Sequence, residues 1–140
     1  MKLKVKKLNE DAMLPTRAHP WDAGADLYAA EAVPYKADDV VIFVPTHVSI
    51  GIEPGYVGLI CDRSSMARSG FKVGGGVVDA GYTGEVGVML LNLTKQHGCI
   101  AKGAKIAQML LIPVMTPLVE EVTELAESER GSGAYGSTGK

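Results

Sequence analysis

The sequence predicts an all-β domain, a barrel or jelly roll built from many short strands. Three observations carry this. Seventeen glycines and seven prolines in 140 residues load the chain with turn formers. Apolar residues recur in alternation or in short uninterrupted runs, the signatures of half-buried and fully buried strands. No stretch keeps a helical period for the length of an ordinary helix, and neither αβ alternation nor an internal repeat is visible. About eight to ten strands follow. A chain of this length, 46% hydrophobic, makes one domain with a proper core.

In order, Lys2–Lys7 sets lysines against Leu3 and Val5, a half-buried strand near an edge. Asn9–Pro20, with two prolines and no period, is loop, and Ala23–Tyr28 is a short strand with one embedded acid, Asp26. Val40–Pro45 reads as a fully buried strand, and His47–Ile52 as one with a wet face. Glu53-Pro54-Gly55 is a turn, Tyr56–Cys61 the returning strand. Asp62–Gly70 holds a helical turn, with Asp62 as its cap and Gly70 as its end. Phe71–Val78 and Val86–Leu93 are the arms of a hairpin. Its apex carries Asp79, the tight Ala80-Gly81 turn and Tyr82. Thr94–Ala101 is polar loop, Ile106–Val114 an apolar strand interrupted by Gln108, and Pro117–Val122 a last short strand. The glutamate-rich 120–129 is a solvated connector. We expect a folded domain over 1–125 and a glycine-rich arm over 126–140.

Composition excludes several classes. A net charge of −2 and a pI near 5.9 argue against a general nucleic-acid binder, although basic residues can still gather around an anion. No apolar run approaches the roughly 18–20 residues that span a bilayer, and the basic N-terminus lacks the apolar core of a signal peptide. The expected location is the cytoplasm. Cys61 and Cys99 stand in apolar surroundings without motif spacing. They are read as two buried free thiols, with a disulfide as the alternative. The three histidines have no ligand spacing, so a protein-held zinc site is not expected.

Gly131–Gly136 matches G-x-G-x-x-G but has no strand before it and no helix after it, so the dinucleotide reading fails. A Walker A loop fails at Ala134 and at the end of the chain after Lys140. The tail is either a featureless tail or a lid ordered by a ligand, with Arg130 and Tyr135 favouring the lid. Arg63-Ser64-Ser65, after an apolar strand, is either a phosphate cradle or a surface turn. Gln108 either faces solvent or meets a buried partner.

Together these pieces resemble the trimeric dUTPase family. Ala23–Tyr28 looks like its first motif, Arg63-Ser64-Ser65 its second and Gly76–Glu85 its third. Gly103–Gln108 looks like the fourth and Arg130–Gly139 the fifth. The resemblance covers nearly the whole chain, in the family's order. It implies a distorted jelly-roll homotrimer with active sites at subunit interfaces, and hydrolysis of dUTP to dUMP and pyrophosphate with Mg²⁺. It implies that Asp79 activates the attacking water and Tyr82 packs on the deoxyribose. Gly75, Gly76, Val77 and Val78 would line the uracil with backbone groups. Arg63, Ser64, Ser65 and Gln108 would serve the phosphates, and Asp26 with Gln108 would indirectly support a magnesium held mainly by phosphates and waters. Arg130, Tyr135, Gly136 and Ser137 would close over the substrate. No nucleic-acid or membrane partner is implied.

The chain departs from the family pattern at Asp62, Ser65, Ala104, Ala134 and Tyr135. RSSMARSG also resembles the sister family, dCTP deaminase, which uses a glutamate in the second arm of the hairpin. Met89, read as a plain core methionine, stands at that position here, without a proton shuttle, which favours phosphate chemistry over base chemistry. A non-catalytic trimer that binds nucleotide is the third reading.

Overall fold

The computed structural model describes residues 2–128 and 131–132. The sequence's alternating and short apolar runs become eleven strands and one short helix within them: β1 (Lys4–Lys7), β2 (Ala25–Tyr28), β3 (Val33–Tyr35), β4 (Val41–Val44), β5 (Val48–Gly51) and β6 (Tyr56–Cys61). Then come α1 (Ser64–Arg68), β7 (Phe71–Gly74), β8 (Val77–Val78), β9 (Val88–Asn92), β10 (Gly98–Ile100) and β11 (Lys105–Pro113). All pairings are antiparallel. They form a four-stranded sheet in the order β2-β11-β6-β8, a three-stranded sheet β4-β9-β7, and the pairs β1-β5 and β3-β10. The fold is the expected all-β jelly roll.

Alternation decides which face each strand buries. In β5, Val48 and Ile50 point into the core while Ser49 stays half-exposed, as the pattern requires. Leu27, Val44, Val86, Val88, Leu90, Ile106 and Met109 meet these side chains in one core cluster. Removing about 25 cal/mol of free energy per Å² of apolar surface makes this cluster the main source of stability.

The structure corrects five local expectations. β4 is not buried on both faces: Ile42 and Val44 are buried, but Val41 and Phe43 are about half-exposed, because this sheet covers the core on one side only. Met89, expected in the core, lies on the same open face, opposite Phe43 in the β4–β9 register. The polar stretch 94–101 contains β10, which pairs with β3, a strand hidden by Pro34. Proline is tolerated there because the pair is an isolated two-stranded edge. Pro117–Val122 forms no strand: Leu118 and Val119 are fully exposed, and no strand of the described residues offers them a ladder. Asp62 does not cap α1. The N-cap is Arg63, without a side-chain bond, while Asp62 accepts Val73 N–H at 2.6 Å and Lys72 Nζ at 3.0 Å.

The hairpin is also divided. β7 pairs with β9, but the chain leaves that sheet after Gly74, and β8 joins β6 in the other sheet. Gly75 makes the crossing with φ at +60°, a left-handed value that glycine adopts without penalty. At Gly76 a Cβ would stand 2.3 Å from the carbonyl oxygen of Ile60, whose N–H donates to Gly76 O at 2.7 Å. Only a bare backbone fits that approach. Gly70, with φ at +86°, ends the helical segment as expected.

Candidate active site

Two cavities hold the polar residues that the sequence singled out. The first, about 340 Å³, is lined by Gly75, Val77, Val78, Asp79 and Tyr82, with Phe43 and Glu85 at its walls. β8 is the outer strand of its sheet, so among the described residues one side of its backbone has no strand partner. Asp79 follows directly and opens a turn closed by Tyr82 N–H donating to Asp79 O at 3.2 Å. Gly81, with φ at +82°, occupies the corner that needs a left-handed residue. The Tyr82 ring lies over Gly84, where a Cβ would stand 2.4 Å from the phenol oxygen, and its hydroxyl donates to Glu85 O at 2.9 Å. The loop is also fastened to β5 and to the residue just after it: Ser49 Oγ donates to Thr83 O at 2.8 Å, and Gly81 N–H to Ile52 O at 3.3 Å.

The second cavity, about 320 Å³, is lined by Gly24, Asp26, Arg63, Ser64 and Gln108. Asp26 is its electrostatic centre. Arg63 Nε donates to one carboxylate oxygen at 2.8 Å and Lys105 Nζ to the other at 2.8 Å. Burial alone would push the Asp26 carboxyl up; the two cations outweigh it and hold the carboxyl below its usual range. The same contact raises the Lys105 ammonium. Arg63 is further fixed through Nη1 to Ser65 Oγ at 3.2 Å and Lys105 O at 3.3 Å. Gln108 sits opposite Asp26 in the β2–β11 register. Its amide is turned to a partner: Nε2 donates to Asp62 O at 2.8 Å. Gly24 makes room for it, since a Cβ there would stand 2.2 Å from Gln108 Oε1. Asp62 is itself held below the usual carboxylate range, first by the Val73 N–H, despite partial burial and with help from Lys72.

The two cavities flank β6. β8 pairs at Gly58 and Leu59, whereas β11 brings Gln108 to Cys61 on the other side of the strand. Within one chain, therefore, the Asp79–Tyr82 group and the Arg63–Gln108 group are separate. Arg130, Tyr135, Gly136 and Ser137 lie outside the described residues. Lys105 and Glu85 fall within the motif segments, yet nothing in the sequence marks their roles, because their partners, Asp26 and the Thr46–His47 backbone, are remote in sequence. Cys61 and Cys99 are both free, but neither is buried as expected: Cys61 is half-buried and Cys99 exposed. Among the described residues, no group of three or more His, Cys, Asp or Glu side chains stands close enough to hold a metal, and no helix is long and apolar enough to cross a membrane.

Comparison with known proteins places this arrangement. The family model described as dUTPase matches residues 10–139. A deoxyuridine 5'-triphosphate nucleotidohydrolase of Clostridium kluyveri is 40% identical over 142 residues, covering 99% of each chain. That of Oryza sativa subsp. japonica is 43% identical over 138 residues, covering 98% of this chain and 80% of the relative. Among solved structures, the dUTPase of Staphylococcus bacteriophage 80alpha with dUpNHpp superposes with a TM-score of 0.89 at 30% identity, over 99% of each chain. A mutant dUTPase from phage phi11 of S. aureus, described as revealing the coordination of a structural Mg(II) ion, gives a TM-score of 0.81 at 28% identity, over 91% of this chain and 100% of the other. The motifs, the fold and these likenesses agree, and the chain belongs to the dUTPase family.

Proposed function

We propose that the chain hydrolyses dUTP to dUMP and pyrophosphate, as a homotrimer whose active sites each join the first cavity of one chain to the second cavity of another. The observation that carries this reading is the Asp79–Tyr82 turn set beside the edge strand β8 in a cavity of nucleoside size. The unpaired side of β8 supplies backbone donors and acceptors for a pyrimidine edge, with Gly75 to Val78 close against the base. Tyr82 packs on the deoxyribose and leaves no room for a 2′-hydroxyl. Asp79 accepts the proton of the attacking water as the water oxygen bonds to phosphorus at the α–β bridge. The bond to the bridging oxygen breaks, and pyrophosphate leaves with that oxygen. A positioned base of this kind contributes typically 10²–10⁴-fold.

Arg63, Ser64, Ser65 and Gln108 hold phosphate oxygens, and Lys105 adds a second positive charge there. Asp26 keeps both cations in place. The donor set fits magnesium carried by the triphosphate: such an ion prefers oxygen ligands and retains its waters, and Asp26, already bonded to two cations, would support it indirectly. When bound, magnesium neutralises charge on the phosphates. Arg130, Tyr135, Gly136 and Ser137, in the arm over 126–140, close over the nucleotide. Met89 supplies no carboxylate for deamination, and the deaminase reading is not favoured.

The separation of the two cavities makes the proposal testable by complementation. Asp79→Asn and Arg63→Ala variants are each expected to be inactive. Unfolding and refolding them together restores dUTP turnover, because some mixed sites combine an intact Asp79 from one chain with an intact Arg63 from another. A mixture as inactive as its components contradicts sharing between chains.

A further inference from the structure

We propose that Glu85 is a positioning residue for sugar selection, acting through Tyr82; this rests on the reading of Tyr82 as the deoxyribose contact. Glu85 is used twice. Its backbone carbonyl accepts the Tyr82 hydroxyl at 2.9 Å, which fixes the ring's tilt at the cavity wall. One carboxylate oxygen accepts two successive backbone N–H groups, Thr46 at 3.1 Å and His47 at 2.8 Å. His47 holds φ at +52°, a left-handed value that a non-glycine residue adopts only when its surroundings enforce it.

The enforcement is visible. The side chains of Asn9 and His47 are hydrogen-bonded, Leu8 N–H donates to His47 O at 2.8 Å, and Thr46 Oγ1 donates to Val86 O at 2.6 Å. The β4–β5 corner is thus a rigid anchor made from buried Thr46 and its neighbours. The Glu85 carboxylate ties the exit of the Asp79–Tyr82 loop to that anchor with charge-assisted bonds, which are stronger than neutral ones. Exclusion of a 2′-hydroxyl needs a wall that does not yield. A ring hung from an unanchored loop moves aside, so Glu85 sets how firmly Tyr82 tests the sugar.

The readout is the ratio of kcat/KM for dUTP to that for UTP, which does not depend on how much of a preparation is folded. Glu85→Ala removes the acceptor, and Glu85→Asp withdraws it from the two N–H groups. Each lowers the ratio by about tenfold, within the range of a single lost discriminating contact. Glu85→Gln keeps an oxygen at the same reach and stays within about twofold of the parent. Should both Ala and Asp variants keep the parent ratio while Tyr82→Ala loses it, the role of Glu85 is overturned and that of Tyr82 stands. Should Tyr82→Ala also keep the ratio, Tyr82 is not the sugar contact and both ideas fall.

Discussion

Asp26 carries its charge between Arg63 and Lys105, each 2.8 Å away, with only 13% of its side chain exposed. Removing the charge leaves two cations facing each other. Asp26→Asn is expected to cost about 2 kcal/mol, between the values of exposed and buried pairs, measurable by urea unfolding. The pH dependence has a definite sign. The folded carboxyl lies below its usual 3.8, so its contribution is complete above the ordinary carboxylate range and disappears as pH falls through the lowered value. The stability gap between parent and variant should therefore be constant near neutrality and close in acid. A gap that persists below the carboxylate range contradicts the ion-pair account. This residue also marks a limit of the sequence. Asp79, Gly81 and Tyr82 were readable because turn chemistry is local. The Asp26–Lys105 and Glu85–His47 contacts are made across the sheets, by residues whose types alone announce nothing.

The crossing at Gly74–Gly76 shows the same limit for elements. Alternation and turn residues located most strands, including β5, β6 and the two arms around Asp79. They did not tell that β7 and β8 belong to different sheets, because both are apolar and a register is chosen only in three dimensions. The triple glycine was the available signal: it permits a left-handed residue followed by a backbone that touches β6. A methyl at Gly76 must push β8 away from Ile60 O. Gly76→Ala is expected to cost about 2 kcal/mol, as overpacking does, and, on the proposal that β8 lines the base, to raise KM for dUTP more than it lowers kcat. Steady-state kinetics with thermal melts check this; an unchanged KM would mean that β8 does not meet the base.

At the scale of the molecule, the apolar residues left open are what the proposed trimer would cover. Val41, Phe43 and Met89 share one face of the β4-β9-β7 sheet, and Leu118, Val119 and Leu125 are exposed beyond β11. The sequence predicts a strand at Pro117–Val122, and this segment has no ladder partner among the described residues. In the proposed trimer a neighbouring subunit would supply one. The arm over 126–140, proposed to close over the nucleotide, belongs to the same level. Deleting 130–140 should leave the melting temperature unchanged and lower kcat by about tenfold or more, the order expected when closure no longer positions the phosphates. An unaffected kcat would remove the arm from the mechanism.

The proposed division of labour between the cavities, base and sugar in one and phosphates in the other, predicts a narrow substrate range. Purified protein with Mg²⁺ should be given dUTP, UTP, dCTP and dTTP separately, and the nucleotide, pyrophosphate and ammonia produced should be measured. Release of dUMP and pyrophosphate from dUTP, with little turnover of the other three, is the predicted result. Ammonia from dCTP, or no turnover of any of the four, would contradict it.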